Sequence, residues 1–536
     1  MRSALRRPRV VSEILKSQAT DRPCHQFLQS GGDWMTYTDV DRAADVLAGG
    51  LHEIGVGPGD RVALLAATRE ELIKAFYAIA RLGAVAVPLN IYLKGDFLRF
   101  QLTDSAATVL IADAAGTRSV GDFIASTDVR LVVTLDEGDT PGLSALPVVR
   151  YADVASSTAV APDPGRRPDD LLTIGYTSGT TGNPKGCMLS NGYYSVMPWS
   201  YLDAGWFGED DRLFTILPFY NGGGHALLNM VALVLGVPTV FEPEFHASTF
   251  LDRARMEKAT VLFAPGMASL AVLAQPPRSD DADNPFRLAS FVPMPPAKQA
   301  EFAARFDVPV VQGTYGQQEC VPVAIAPVGG PAKPGSSGTP VWCYEVAIHD
   351  DDDHPVASGE VGEIVVRPRV PNAMFSGYWR NPEATVAAFR QLWHHTGDLG
   401  SLDEDGYLTF SDRKKDSLRR RGINISSVEV ETVLLEHPDL AGAAVYAVPS
   451  ELTEDEVMFA VVPREPDSLD AESFFAFCRD RLPFYAVPRY VSVRSELPAN
   501  ALGRVMKHVL RAEGAAAATW DMESMGLVVD RAQRRG

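Results

Sequence analysis

Eleven consecutive residues, Tyr176-Thr177-Ser178-Gly179-Thr180-Thr181-Gly182-Asn183-Pro184-Lys185-Gly186, combine three hydroxyl residue types, three glycines and one lysine. That set can cradle a phosphate. Glycines let backbone N–H groups approach anionic oxygens, hydroxyls add donors, and the lysine adds a point charge. The spacing is not that of a Walker A loop, which needs G-x-x-x-x-G-K-[ST]. A mobile surface loop of the same composition is the competing reading. Upstream, Asp170-Leu171-Leu172-Thr173-Ile174-Gly175 is short and apolar enough for a strand. Downstream, Cys187-Met188-Leu189-Ser190-Asn191 leads into a helix.

This loop closely resembles the phosphate loop of the adenylate-forming superfamily, which comprises acyl-CoA synthetases, stand-alone adenylation domains and luciferases. Further matches run from about Trp34 to about Arg511. The resemblance implies that Thr177, Ser178, Gly179, Thr180, Thr181, Gly182 and Lys185 surround the nucleotide phosphates. Gln312-Gly313-Thr314-Tyr315-Gly316-Gln317-Gln318-Glu319 resembles the Y-G-x-T-E motif, although a strand-end turn would read similarly. There Tyr315 and Gly316 would flank the adenine and Glu319 would help hold Mg2+. Gln318 stands where the threonine that donates to the α-phosphate is expected. Trp393-His394-His395-Thr396-Gly397-Asp398 resembles W-x-x-T-G-D, and Asp398 would take the ribose hydroxyls. An acceptor-only carboxylate suits that task. A metal site at His394 and His395 is not expected, because neighbours on a strand point to opposite faces.

Ser411-Asp412-Arg413-Lys414-Lys415-Asp416 resembles the family hinge. Arg413 would contact the ribose, and Lys415 would be the pivot of a small C-terminal domain. The loop at Gly422 would then line the pantetheine channel. The run Arg419-Arg420-Arg421 would hold CoA phosphates or form a solvated face.

Several positions depart from the family pattern. Leu497-Pro498-Ala499-Asn500-Ala501-Leu502-Gly503-Arg504-Val505-Met506-Lys507 aligns with P-x-T-x-S-G-K-[IV]-x-[KR], so Arg504 replaces the catalytic lysine and Lys507 keeps the later basic position. A planar guanidinium needs different room from a point-charge ammonium. Phe219-Tyr220-Asn221 has Asn where most acyl-CoA synthetases carry a channel-gating His. Met294, in a proline-rich stretch, replaces a Gly-Ala-rich wall. Tyr220, Asn221, Gly223, Gly313 and Met294 are the expected acyl-pocket residues. Gly222-Gly223-Gly224 either leaves room for a bulky acyl group or forms a helix-entry turn.

The elements that must position these residues follow from length and periodicity. At 536 residues the chain exceeds one compact core, and its 46% apolar and 22% charged composition is that of an ordinary globular enzyme. A strand at Arg61–Leu65, a helix at 70–82 and a strand at 83–90 make a βαβ unit. The segments 102–113 and 129–135 repeat the alternation, as do strands at 212–218, 237–241 and 261–264, with an apolar helix over 224–235. Short strands with Gly turns from 335 to 367 indicate a small β subdomain. The expected fold is α/β. A large N-terminal domain (1–414), made of two packed α/β subdomains and a small β subdomain, precedes a hinged α/β C-terminal domain (415–520) and a frayed tail (521–536). Five scattered cysteines point to reduced thiols in the cytoplasm. No apolar run reaches 18 residues, so no membrane insertion is expected. A net charge of −19 argues against nucleic-acid binding.

The resemblance implies an acid–thiol ligase that makes an acyl-CoA thioester from a carboxylic acid through acyl-AMP, using ATP, coenzyme A and Mg2+. The altered residues cluster on the adenylation half-reaction. The first step is therefore expected to be weak or lost, leaving thioesterification of a preformed acyl-adenylate, with a separate adenylating enzyme as its expected source. An ordinary two-step synthetase and a non-catalytic adenylate-binding protein are the alternatives.

Overall fold

A computed structural model describes residues 6–138, 143, 146–177, 184–292, 294, 296–311, 313–330, 333, 335–413, 417–420, 423–450, 455–466, 468–498, 505 and 507–528. It divides into two compact units. The first comprises Met1–Ile91, Arg99–Thr177 and Lys185–Lys414. The second comprises Lys415–Gly536 with the short segments Tyr92–Leu98 and Ser178–Pro184.

The first unit holds two sheets of the same design. One orders its strands as Val148–Arg150, Leu131–Thr134, Val109–Ala112, Arg61–Leu65, Val85–Pro88, Leu171–Thr177 and Lys185–Ser190. All pairs are parallel except the last, which is an antiparallel hairpin. The other runs Leu288–Val292, Val261–Pro265, Leu213–Thr215, Thr239–Phe241, Gln26–Gln29 and Met35–Thr36, again parallel with one antiparallel edge. Strands such as Val85–Pro88 and Val109–Ala112 are buried at every position. Helices cover both faces of a parallel sheet, so such strands are apolar throughout and do not alternate. The expected helix over 70–82 forms as Glu70–Leu82, with Leu72, Ile73, Phe76 and Ile79 in the core. The helix Tyr37–Glu53 opens with a reciprocal cap between Thr36 and Asp39.

Two expectations need correction. The run after the phosphate loop is a strand, Lys185–Ser190, that folds back on Leu171–Thr177. The motif is therefore a hairpin, and the expected helix follows it as Asn191–Val196, capped by Ser190. The helix expected over 224–235 begins as a π-helical turn, Gly223–Leu228, and becomes α-helical at Asn229–Leu235. Such turns are frequent at functional sites.

The β part of the first unit has one three-stranded sheet, Thr314–Gln317, Cys320–Ile325 and Thr339–Pro340. A five-stranded sheet is built from Tyr344–His349, Gly362–Pro368, Trp393–Leu402, Phe389–Arg390 and Leu408–Arg413.

The second unit packs helices Ser427–Leu434, Ala471–Arg481 and Lys507–Glu513 with a four-stranded sheet of Leu440–Pro449, Asp455–Pro463, Tyr490–Val493 and Trp520–Asp521. Trp520–Asp521 pairs with Tyr490–Val493, and Met522 is buried in that unit's core. The segment expected to fray from 521 thus starts with anchored residues, because an apolar side chain and a strand edge both find partners there. Among the described residues no helix is long and apolar enough to cross a membrane.

Candidate active site

The hairpin sets Thr177 opposite Lys185, Tyr176 opposite Gly186 and Gly175 opposite Cys187. Its closing residues Ser178, Gly179, Thr180, Thr181 and Gly182 lie outside the described residues, as do Lys415, Gly422 and Arg504. The Lys185 ammonium lies over the Tyr378 ring, 4.8 Å from its centroid. The Tyr378 hydroxyl donates to Glu319 Oε1 at 2.9 Å. Lys185 and Glu319, 134 residues apart in sequence, are thereby joined through one aromatic ring. Burial, followed by the Glu319 charge, holds both the Tyr378 phenol and the Cys187 thiol well above their ordinary range. Both stay protonated donors beside a carboxylate that is 7% exposed.

Gln318 sits at the root of the hairpin. Its backbone oxygen accepts from the Tyr193 hydroxyl at 2.9 Å. Its amide lies so close to Gly175 that a Cβ there would be 1.6 Å from Nε2. In this rotamer the Gln318 amide occupies the space that a side chain at residue 175 would take.

Tyr315 and Asp398 are brought together. The Tyr315 hydroxyl donates to Asp398 Oδ2 at 2.8 Å, and Gln317 Nε2 approaches the same oxygen at 3.3 Å. Gln317 Nε2 also donates to Thr396 O, while its Oε1 lies 3.2 Å from His394 Nε2. An amide oxygen only accepts, so His394 carries its proton on Nε2. Burial, then the neighbouring His395, lowers the His394 pKa to about 3, so this imidazole is neutral. The line His394–Gln317–Asp398–Tyr315 ties two sheets together and fixes the carboxylate, which is 4% exposed. The Tyr315 ring stacks against Phe410 at 5.9 Å. Arg413 is the cross-strand register partner of Asp398.

The expected pocket residues are more dispersed. Asn221 Oδ1 accepts from Gly223 N at 2.9 Å, where the π-helical turn begins. A Cβ at Gly223 would meet Leu217 at 3.0 Å. Tyr220 is half-buried beside them. Gly313 packs against Ala326 and accepts its N–H. A Cβ at Gly316 would lie 2.9 Å from Val321. Met294 belongs to a buried apolar cluster with Phe291 and Phe302, so its side chain is core.

In the second unit, Lys507 Nζ pairs with Glu431 Oε1 at 2.7 Å and donates to Ser427 Oγ at 2.7 Å. Arg420 is 8% exposed, paired with Glu456 at 2.5 Å and donating to Tyr485 O and Val487 O. It neither forms a solvated face nor reaches for phosphate, because its guanidinium is consumed internally.

Four residues passed over by sequence reasoning matter here: Gln317, Tyr378, Glu363 and His225. Gln317 alone carried a signal, a polar amide between two motif residues. His225 is buried on the π-helical turn, and its Nδ1 contacts Phe219 O at 2.9 Å. Burial lowers its pKa to about 4.

Glu319 offers a hard carboxylate oxygen of the kind Mg2+ takes together with nucleotide phosphates. Among the described residues no three His, Cys, Asp or Glu side chains are grouped to hold a metal unaided. The donor set therefore fits an ion held jointly by Glu319 and a bound nucleotide.

The chain matches the family model described as AMP-binding enzyme over residues 15–379, and its C-terminal-domain model over residues 429–504. It is 33% identical over 481 residues to an indoleacetate–CoA ligase of Aromatoleum aromaticum, covering 89% of this chain and 92% of that protein. It is 31% identical over 491 residues to a feruloyl-CoA synthase of an Amycolatopsis species, covering 90% and 95%. A solved structure of a double mutant of o-succinylbenzoate CoA synthetase from Bacillus subtilis superposes with a TM-score of 0.80 at 26% identity, covering 93% of this chain and 98% of that one. A hairpin carrying Lys185, a buried Tyr315–Asp398 pair and a separate C-terminal unit accompany these matches, and the chain belongs to the AMP-binding enzymes, as an acyl-CoA ligase of the adenylate-forming type.

Proposed function

We propose that this ligase thioesterifies an aromatic acyl-adenylate with coenzyme A, and that its own ATP-dependent adenylation is slow. The observation that carries the reading is a contrast. Of the residues expected to hold an adenylate, Tyr315 donates to Asp398 and Arg413 is its cross-strand register partner, while Gln317, not among them, approaches the same carboxylate. Two residues expected to act on the reacting phosphate are changed, although the phosphate loop itself keeps the family pattern. Gln318 replaces a small hydroxyl and lies against Gly175 where the phosphate hairpin begins. Arg504 replaces a lysine. Attack on the α-phosphate with loss of pyrophosphate depends on placed charge, so a cation of different shape at that position is expected to cost orders of magnitude. When bound at Glu319, Mg2+ would neutralise charge on the departing pyrophosphate.

Support for an aromatic acid comes from relatives named for indoleacetate and ferulate. In the second half-reaction the CoA sulfur attacks the acyl carbon of the mixed anhydride, the C–O bond to phosphate breaks, and AMP leaves.

The test compares pyrophosphate release from aryl acid, ATP and Mg2+ with thioester formation from synthetic aryl-AMP and CoA. Thioester formation is expected to be faster by about a hundredfold or more. Arg504→Lys with Gln318→Thr is expected to raise pyrophosphate release selectively. Wild-type pyrophosphate release that keeps pace with thioester formation from aryl-AMP would overturn the proposal in favour of an ordinary two-step synthetase.

A further inference from the structure

Asp398 stands on an irregular stretch of strand, and a buried acid on the neighbouring strand shapes it. Glu363 pairs with Leu399 and Val365 pairs with His395. One residue, Ile364, therefore faces three: Thr396, Gly397 and Asp398. The surplus bulges out of the ladder, and its backbone groups need partners elsewhere. Thr396 Oγ1 donates to Ile364 O at 2.7 Å and accepts from Asp398 N at 3.1 Å. Gly397 takes a φ of +71°, which favours glycine. Its N–H donates to Glu363 Oε1 at 3.0 Å.

The other side of Glu363 is held as well. Its Oε2 lies 3.2 Å from His395 Nδ1 and 3.6 Å from Arg390 Nη2. Arg390 makes two 3.0 Å contacts to Asp353 and reaches His395 Nδ1 at 2.7 Å. His395 Nε2 lies 3.7 Å from Asp353 Oδ1, so the ring is bracketed by Glu363, Arg390 and Asp353. Glu363 itself is 5% exposed, and its carboxylate faces Gly397 N, His395 and Arg390.

We propose that Glu363 is a positioning residue for nucleotide recognition. Its carboxylate pins the Gly397 amide, and that contact sets the bulge that presents Asp398 to the ribose hydroxyls. The proposal rests on reading Asp398 as the ribose carboxylate.

Binding of AMP and of 2′,3′-dideoxy-AMP to the full chain, measured by calorimetry, tests it without any catalytic step. Wild type is expected to prefer AMP by at least about tenfold, since the dideoxy ligand lacks both donors. Glu363→Ala is expected to lose most of that preference while binding dideoxy-AMP as wild type does. Glu363→Gln keeps an acceptor oxygen for Gly397 N and is expected to stay within about threefold of wild type. Should Glu363→Ala not fold, Glu363→Asp, which withdraws the carboxylate by one methylene, is expected to show the same loss. Equal weakening of both ligands, or an intact preference in Glu363→Ala or Glu363→Asp, would overturn the proposal and leave the Asp398 reading standing. A wild type that binds the two ligands equally would remove both. Rapid pyrophosphate release from ATP would leave this result untouched.

Discussion

Asp398 is a buried carboxylate whose Oδ2 receives the Tyr315 hydroxyl and the Gln317 amide. Each donor is itself fixed, Gln317 by Thr396 O and His394, and Tyr315 by its stacking on Phe410. A hydrogen bond to a charged group contributes about 1.5–3 kcal/mol when its geometry is held. Tyr315→Phe keeps the ring and removes only the donor, and it should weaken AMP binding by about tenfold. Titration calorimetry reads this directly, and an unchanged dissociation constant would show that Asp398 does not need the phenol. Tyr315 and Asp398 were legible in the sequence because each stands in a motif of fixed spacing. Gln317 was not, since its role depends on Asp398, 81 positions away, and on a sheet-to-sheet contact that spacing does not encode. Gln318 was legible as a departure. What the amide does, lying over the one strand residue without a side chain, needed coordinates.

Elements were readable where one periodicity dominates. Glu70–Leu82 carries an apolar stripe and formed as expected, and so did the strand Arg61–Leu65. Lys185–Ser190 was not readable as a strand, because a short apolar run fits a strand or a helix start equally, and only pairing with Leu171–Thr177 decides. The π-helical turn at Gly223–Leu228 escaped because its apolar residues suit an α-helix as well. Within the second unit, the helix Ser427–Leu434 carries Glu429 in its first turn. A helix N-terminus favours a carboxylate. Burial outweighs this and raises the Glu429 pKa to about 8 from an ordinary 4.5. At pH below about 4.5 both folded and unfolded chains hold the proton. Between 4.5 and about 8 the unfolded chain has released it and the folded unit has not, so stability falls as pH rises through that window. Hydrogen exchange of the strands Leu440–Pro449 and Asp455–Pro463 should therefore quicken from pH 5 to about 8 beyond the intrinsic rate increase. Glu429→Gln should abolish that excess, and an excess that persists in the variant would assign it to another group.

At the scale of the molecule, the residues proposed to hold or support the nucleotide are segregated. Tyr315, Gln317, Glu319, Tyr378, Asp398 and Glu363 all belong to the unit that ends at Lys414, and so does Lys185. That unit has an extensive buried core of its own, from Val11 to Leu408. The second unit has separate apolar clusters around Leu418–Val491 and around Tyr446 and Leu510. Its basic residues Arg420 and Lys507 are engaged within it, with Glu456 and Glu431. A chain cut after residue 414 should thus keep the contacts that hold AMP and lose those that bring coenzyme A to the acyl carbon. Its dissociation constant for AMP should stay within about threefold of the full chain, a difference smaller than one net hydrogen bond. Thioester formation from aryl-AMP and CoA should fall below detection. Circular dichroism would establish that the fragment is folded. A folded fragment that no longer binds AMP would place part of the nucleotide site beyond Lys414, and would show that the Tyr315–Gln317–Asp398 set is insufficient on its own.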